Sequence, residues 1–196
     1  MKGARPFASD EETVKFLRAI RGSFATRDRA VATLGLKCGG RITSLLSLRI
    51  NDVFQGGHFV DRIYFRRANR KGKREGQSVA FHPALRMALG RWLVEVRRKK
   101  GDLDGRAFLF ESRKSGRPIG RKTYWEIMAA ATREAGLKPG ISTHTLRKTV
   151  AQKVYEASGH CLLTTGRVLG HKSIATTAAY LGNGLDGKAD QAVLGL

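Results

Sequence analysis

The hydrophobic period of this chain changes twice, and that change limits what it can fold into. From Ser9 to Leu48 the apolar residues recur at helical spacing. From Asp52 to Phe81 they follow the period of strands, and from Pro83 onward the helical spacing returns. The expected fold class is therefore α+β and mainly α-helical, one helical domain with a small three-stranded antiparallel sheet inserted early.

Local signals place the elements. S-D-E-E reads as a capping box from Ser9 to Glu12, opening a helix with Val14, Phe16, Leu17 and Ile20 on one face. A second helix over about 28–37 stops at Gly39-Gly40, and a short third one near Arg41 carries Leu45, Leu46 and Leu48. Strands are expected at 52–54, 59–65 and 78–81, separated by Q-G-G and by the polar turn R-K-G-K-R-E-G. His82-Pro83 opens a helix through Leu85, Leu89, Trp92, Leu93 and Val96. Further helices are expected at about 121–135, 143–157, 162–169 and 173–180, followed by a Gly-rich tail ending in A-V-L-G-L.

At 196 residues the chain suits one well-packed domain. Its charge is unusual: 37 Lys+Arg against 16 Asp+Glu gives +21. A polyanion partner follows, with nucleic acid first among candidates, and the charge alone fits RNA as well as DNA. Cys38 and Cys161 make neither a disulfide framework nor a four-ligand metal set, and both read as buried thiols of a reduced, cytoplasmic protein. No stretch approaches roughly 18 uninterrupted apolar residues, and M-K-G-A-R-P-F lacks a hydrophobic signal core. The expectation is a soluble intracellular protein without membrane partners.

The chemistry concentrates in H-T-L-R at 144–147, L-G-H at 169–171 and Tyr180. His144 and Arg147 lie three apart near a helix start, so they share a face, and the helix N-terminus adds N–H donors suited to phosphate. His171 lies in a turn between Gly170 and Lys172, and taken alone reads as a cap; Tyr180 alone reads as a packed aromatic. Arg41 follows two glycines at a helix start, where the dipole disfavours a cation unless an anion meets it. Lys71 and Lys73 lie in a turn, where lysine is usually solvated charge but also suits a proton donor at phosphate. Singly each has an ordinary explanation; the order Arg…Lys…His-x-x-Arg…His…Tyr does not.

That order, and the local wording, resembles the tyrosine recombinases of the phage-integrase family over about 9–181. G-G-R-I-T-S-L-L-S-L-R-I-N-D-V is similar to the segment carrying the first catalytic arginine, and V-A-F-H-P after K-G-K to the strand after the lysine hairpin. T-H-T-L-R-K-T and V-L-G-H-K-S-I-A-T-T-A-A-Y are close to the two most specific motifs. The resemblance implies a catalytic domain over 1–182, with 183–196 as a tail and possible partner-binding segment. It implies Arg41 and Arg147 as paired phosphate clamps, His144 and His171 as hydrogen-bonding histidines, Lys71 as the hairpin lysine (Lys73 the alternative), and Tyr180 as nucleophile. DNA contacts are implied for Arg41, Lys71, Lys73, Arg147, Lys148 and Lys172.

The implied activity is site-specific recombination or integration of DNA, with strands cleaved and rejoined through a 3′-phosphotyrosyl intermediate. No metal, ATP or other cofactor is called for, since arginines can neutralise the phosphorane. The implied partner is double-stranded DNA, held by a homotetramer that is monomer or dimer when free, with accessory DNA-bending proteins. The setting is cytoplasmic and nucleoid-associated, in a prokaryote or one of its mobile elements.

The chain departs from the family pattern at Ser44, where an acid is usual, and at Ala80, where proline is frequent. It opens where the catalytic domain opens, without the helical clamping domain that usually precedes it. These departures keep two other readings in view: a DNA-binding regulator or accessory protein derived from an integrase, and a type IB topoisomerase-like activity. A ribosomal-type RNA-binding protein would explain the charge but not the residue order. G-x-x-x-x-G-K at 182–188 is followed by Ala189 where a P-loop needs Ser or Thr, and His144, His160, Cys161 and His171 fit no common zinc spacing.

Overall fold

The computed structural model describes residues 4–65, 77–113 and 116–182. Lys71, Lys73, the turn that carries them and the tail 183–196 lie outside the described residues.

Eight α-helices are found among the described residues, and most expected boundaries are reproduced. Helix α1 (Asp10–Ala19) starts where the Ser9 hydroxyl accepts the Glu12 N–H at 3.1 Å. It buries Phe16 and Ala19, but Val14 is 43% exposed. Val14 and Phe16 are two residues apart, about 200° around a helix, so they cannot share the inward face.

Helix α2 (Ala25–Cys38) runs through the centre, buried at Ala30, Val31, Ala32, Leu34 and Cys38. It packs against α4 (Pro83–Lys100) and α6 (Thr143–Ala157). The Lys99 ammonium lies 5.2 Å from the Phe24 ring, so the C-terminus of α4 meets the N-terminus of α2. Gly39 ends α2 in the left-handed region at φ +60, and α3 (Ile42–Leu46) follows.

The strands differ from the expectation in detail. In place of one three-stranded sheet, the described residues form two antiparallel pairs, β1 (Phe54–Gln55) with β2 (His58–Phe59), and β3 (Arg62–Phe65) with β4 (Gln77–Ala80). The run 59–65 is split because the chain changes partner at Val60-Asp61. The Val60 N–H closes the first hairpin on Val53 O at 3.0 Å, and Asp61 O accepts from Phe81 N–H at 2.8 Å beside the second pair. Asp52 belongs to a 3-10 turn, Ile50–Asp52, not to a strand. In β3, Ile63 and Phe65 face the core and Tyr64 faces solvent, the expected alternation.

Helix α4 opens on His82, whose ring Nδ1 accepts the Ala84 N–H at 3.1 Å, with Pro83 at the first position. Helices α5 (Arg121–Glu134), α6, α7 (Leu162–Leu169) and α8 (Ile174–Leu181) complete the domain. An N-terminal strap ties the loop before α6. The Arg5 N–H donates to Gly140 O at 2.9 Å, and its guanidinium donates to Pro139 O, Lys138 O and the Glu12 carboxylate.

The two cysteines separate. Cys38 is buried, and burial pushes its thiol up to about 12. Cys161 is not buried as expected: it is half-exposed at the N-cap of α7, where its sulfur accepts from the Thr164 hydroxyl and N–H. Among the described residues no helix is long and apolar enough to cross a membrane.

Candidate active site

Ser142 starts α6 by a capping box: its hydroxyl accepts the His144 N–H at 3.4 Å, and its own N–H donates to Thr145 Oγ1 at 2.9 Å. This puts His144 in the first turn and Arg147 one turn later. His144 stays exposed, whereas Arg147 is only 3% exposed.

A buried guanidinium must find acceptors. One Arg147 nitrogen donates to Gly39 O. The other donates to Leu169 O at 2.7 Å and lies 3.0 Å from His171 Nε2. Leu169 is the last residue of α7, and Gly39 follows the last residue of α2. A cation therefore meets the carbonyl ends of two helices, where unpaired acceptors and the negative dipole end favour it. Gly170 turns the chain at φ +65, a left-handed conformation suited to glycine, and delivers His171 to the same place.

Tyr180, on α8, completes the group. Its ring meets His171 edge-on, with centroids 5.5 Å apart and planes at 76°. The Arg147 guanidinium carbon and the Lys148 ammonium lie 5.8 and 5.7 Å from its ring centre. The hydroxyl is buried and has no hydrogen-bond partner among the described residues. Arg147 is close enough to favour the phenolate, but not in hydrogen-bond geometry. Arg41 caps α3 on extended backbone, with its side chain exposed. Its charge reaches Arg147, His144, His171 and Tyr180.

The electrostatics are those of a cationic pocket. Burial, then the charges of Arg147 and Arg41, lowers His171 to about 4. Burial followed by Arg121, Arg147, Lys148 and Arg41 also holds His144 below its ordinary value. Arg147 falls to about 10 through burial and the like charge of Arg41, and stays protonated at neutral pH. Burial raises the Tyr180 phenol, against the opposing pull of Arg147 and Arg41. Two cations, two neutral imidazoles and a protonated phenol form a set able to bind a tetrahedral oxyanion and to attack it.

Of the sequence-based candidates, Arg41, His144, Arg147, Lys148, His171 and Tyr180 come together. Lys172 is exposed beside His171. Ser44 is half-buried, its N–H donating to Arg41 O at 2.8 Å. Ala80 ends β4 opposite Arg62. Sequence reading missed Thr177, which is fully buried with its hydroxyl 3.1 Å from His171 Nδ1. It also missed Arg121, the largest charge acting on His144. A hydroxyl among the alanines of α8, three residues before the tyrosine, was the available signal for Thr177.

The chain belongs to the phage integrase family, which it matches over residues 7–184. It is 31% identical over 171 residues to a tyrosine recombinase XerC of Caldanaerobacter subterraneus subsp. tengcongensis, covering 87% of this chain and 45% of that protein. It is 29% identical over 154 residues to a tyrosine recombinase XerD of Corynebacterium glutamicum, covering 79% of this chain and 47% of that protein. The chain thus spans about half the length of these curated relatives. The fold is that of the crystal structure of XerA recombinase, at a TM-score of 0.73 and 25% identity over 98% of this chain and 65% of that one.

Proposed function

We propose that residues 1–182 form the catalytic domain of a tyrosine-type site-specific DNA recombinase, with Tyr180 as its nucleophile. The observation that carries this reading is the convergence of Arg147, His171 and Tyr180, within the field of Arg41. The XerC and XerD relatives and the charge of +21 support it. So does the fold shared with a XerH recombinase bound to a difH substrate, at a TM-score of 0.71 and 23% identity over 95% of this chain and 53% of that one. Double-stranded DNA is the proposed partner.

In this reading Arg41 and Arg147 hold the non-bridging oxygens of the scissile phosphate and neutralise the charge that builds on the phosphorane. The Tyr180 phenol releases its proton to solvent as its oxygen attacks phosphorus, and the bond to the 5′-oxygen breaks. The 5′-oxygen takes its proton from Lys71, or from Lys73. Arg147 has two N–H groups beyond those bound to Gly39, Leu169 and His171, which leaves it donors for a phosphate oxygen. His144 donates a hydrogen bond to the phosphate, while His171, with Nε2 turned to the guanidinium in the free protein, acts through Arg147. The 3′-phosphotyrosine keeps the energy of the broken bond, so attack by a 5′-hydroxyl rejoins the strand without ATP. The arginines occupy the place that a metal would otherwise fill. Recombination of two duplexes requires four such sites, which a homotetramer supplies; residues 183–196 are the proposed contact, and DNA-bending proteins the proposed accessories.

Covalent trapping tests the reading. The protein is mixed with fragmented DNA of its source replicon in EDTA and quenched with SDS, and the DNA left attached is sequenced. Adducts at one or a few sequences, absent for Tyr180→Phe, are expected. Adducts without sequence preference would mean a topoisomerase. Binding with no adduct on any sequence would mean an accessory protein.

A further inference from the structure

His171 lies between two groups whose chemistry leaves it one protonation pattern. Arginine has only donors, so the contact of Arg147 with Nε2 at 3.0 Å requires a bare, accepting Nε2. A neutral ring with a bare Nε2 carries its proton on Nδ1. Nδ1 lies 3.1 Å from the Thr177 hydroxyl oxygen, which is then its acceptor. We infer that Thr177 is a positioning residue, whose buried hydroxyl holds His171 in the Nδ1–H form so that Nε2 orients the Arg147 guanidinium.

Thr177 is placed for this and for little else. It is the buried residue of α8 and is fully enclosed. Threonine on a helix is confined to two main χ1 rotamers, and the one taken here turns the hydroxyl to His171 Nδ1. The space around the oxygen is reserved, because a Cβ at Gly166 on the facing helix α7 would come within 2.8 Å of it. The backbone sets the ring from the other side, since the His171 N–H donates to Gly166 O at 2.9 Å. One hydroxyl on α8 therefore controls a ring on the α7–α8 turn, and through it the donor directions of an arginine on α6.

The reaction consequence rests on the recombinase reading above; the tautomer itself does not. Without the hydroxyl, a buried Nδ1–H has no acceptor, and the proton gains a reason to move to Nε2. Two donors would then face each other at Arg147, and the guanidinium would turn from the direction that suits a phosphate.

The test uses the full chain with 15N-labelled histidine, at neutral pH and without DNA. Ring nitrogen shifts of His171, assigned by its loss in His171→Gln, report the tautomer. Wild type is expected as Nδ1–H alone, Thr177→Ser likewise, and Thr177→Val as a mixture containing Nε2–H. A wild-type ring in the Nε2–H form, or a Thr177→Val ring unchanged from wild type, would overturn the inference. On cleavable DNA, Thr177→Val is expected to form adduct about tenfold more slowly, the worth of one well-placed hydrogen bond, with unchanged DNA affinity and recovery in Thr177→Ser. Equal rates at equal folded fraction would overturn the positioning role. If wild type itself forms no adduct, the recombinase reading fails while the nitrogen shifts still decide the tautomer.

Discussion

The Arg147 guanidinium and the Gly39 carbonyl meet across 108 residues of sequence, and Gly39 stands two residues before Arg41. One hydrogen bond therefore ties Arg147 to the backbone that leads into Arg41, the other arginine proposed to clamp the phosphate. The acceptor exists because a glycine ends α2 in the left-handed region, leaving its carbonyl free of the helix.

Arg147→Ala leaves the Gly39 and Leu169 carbonyls without their partner, at about 1–3 kcal/mol for each buried group. The expected loss is roughly 3 kcal/mol in urea unfolding followed by circular dichroism. Arg147→Lys should fall between the two proteins, because a single ammonium cannot reach Gly39, Leu169 and His171 together. Wild-type stability in the alanine variant would refute the bridging role.

His171 links stability to pH. Its folded value, about 4, lies below the ordinary 6.5. The unfolded chain therefore takes up the proton first as pH falls, and the folded state loses ground between pH 6.5 and about 4. Protonation also places a donor on Nε2, facing the donors of Arg147. Urea midpoints measured from pH 7 to pH 4 should fall more steeply for wild type than for His171→Gln. Parallel curves would show that the ring does not titrate as the geometry requires.

Much of this was legible in the sequence, because caps and glycines act locally. The Ser9 box, His82-Pro83 and the glycines at 39 and 170 mark helix ends by their own backbone chemistry. The site order was legible for the same reason: His144 and Arg147 share a helix face whatever surrounds them. The rest depended on tertiary partners. Val60-Asp61 splits a run of good strand formers because two hairpins compete for it. Cys161 looks apolar by its neighbours yet serves as a cap. Thr177 owes its place to a ring on another segment, and no spacing rule connects them.

Tyr180→Phe should stabilise the free protein. The phenol hydroxyl is buried without a partner among the described residues, a burden of about 1 kcal/mol or more. Removing it should raise the unfolding free energy by about 1 kcal/mol in the same urea experiment, while covalent attachment to DNA disappears. A variant less stable than wild type would mean that the hydroxyl does have a hydrogen-bond partner in the folded protein.

Gly35 of α2 packs directly against Leu146 of α6. A Cβ there would lie 2.7 Å from Leu146 Cδ1 and 3.1 Å from Leu146 Cβ. Alanine gains helix propensity worth about 1 kcal/mol over glycine, but the clash costs about 1–3 kcal/mol. Gly35→Ala is therefore expected to be destabilising overall, and to weaken adduct formation by moving Gly39 away from Arg147. A thermal melt and the trapping assay together check both effects.

Helix α8 buries one residue, Thr177, whereas α2 buries eight. Segments with so little enclosed surface open at a small fraction of the global unfolding free energy. The proposed nucleophile is thus carried on a helix with one buried residue, while Arg147 sits on α6, which buries seven, and is bonded to the end of α2. Backbone amides of 174–181 should exchange with solvent deuterium well before those of 25–38. Small shifts of Tyr180 relative to Arg147 are then cheap, while the rest of the folded body stays in place.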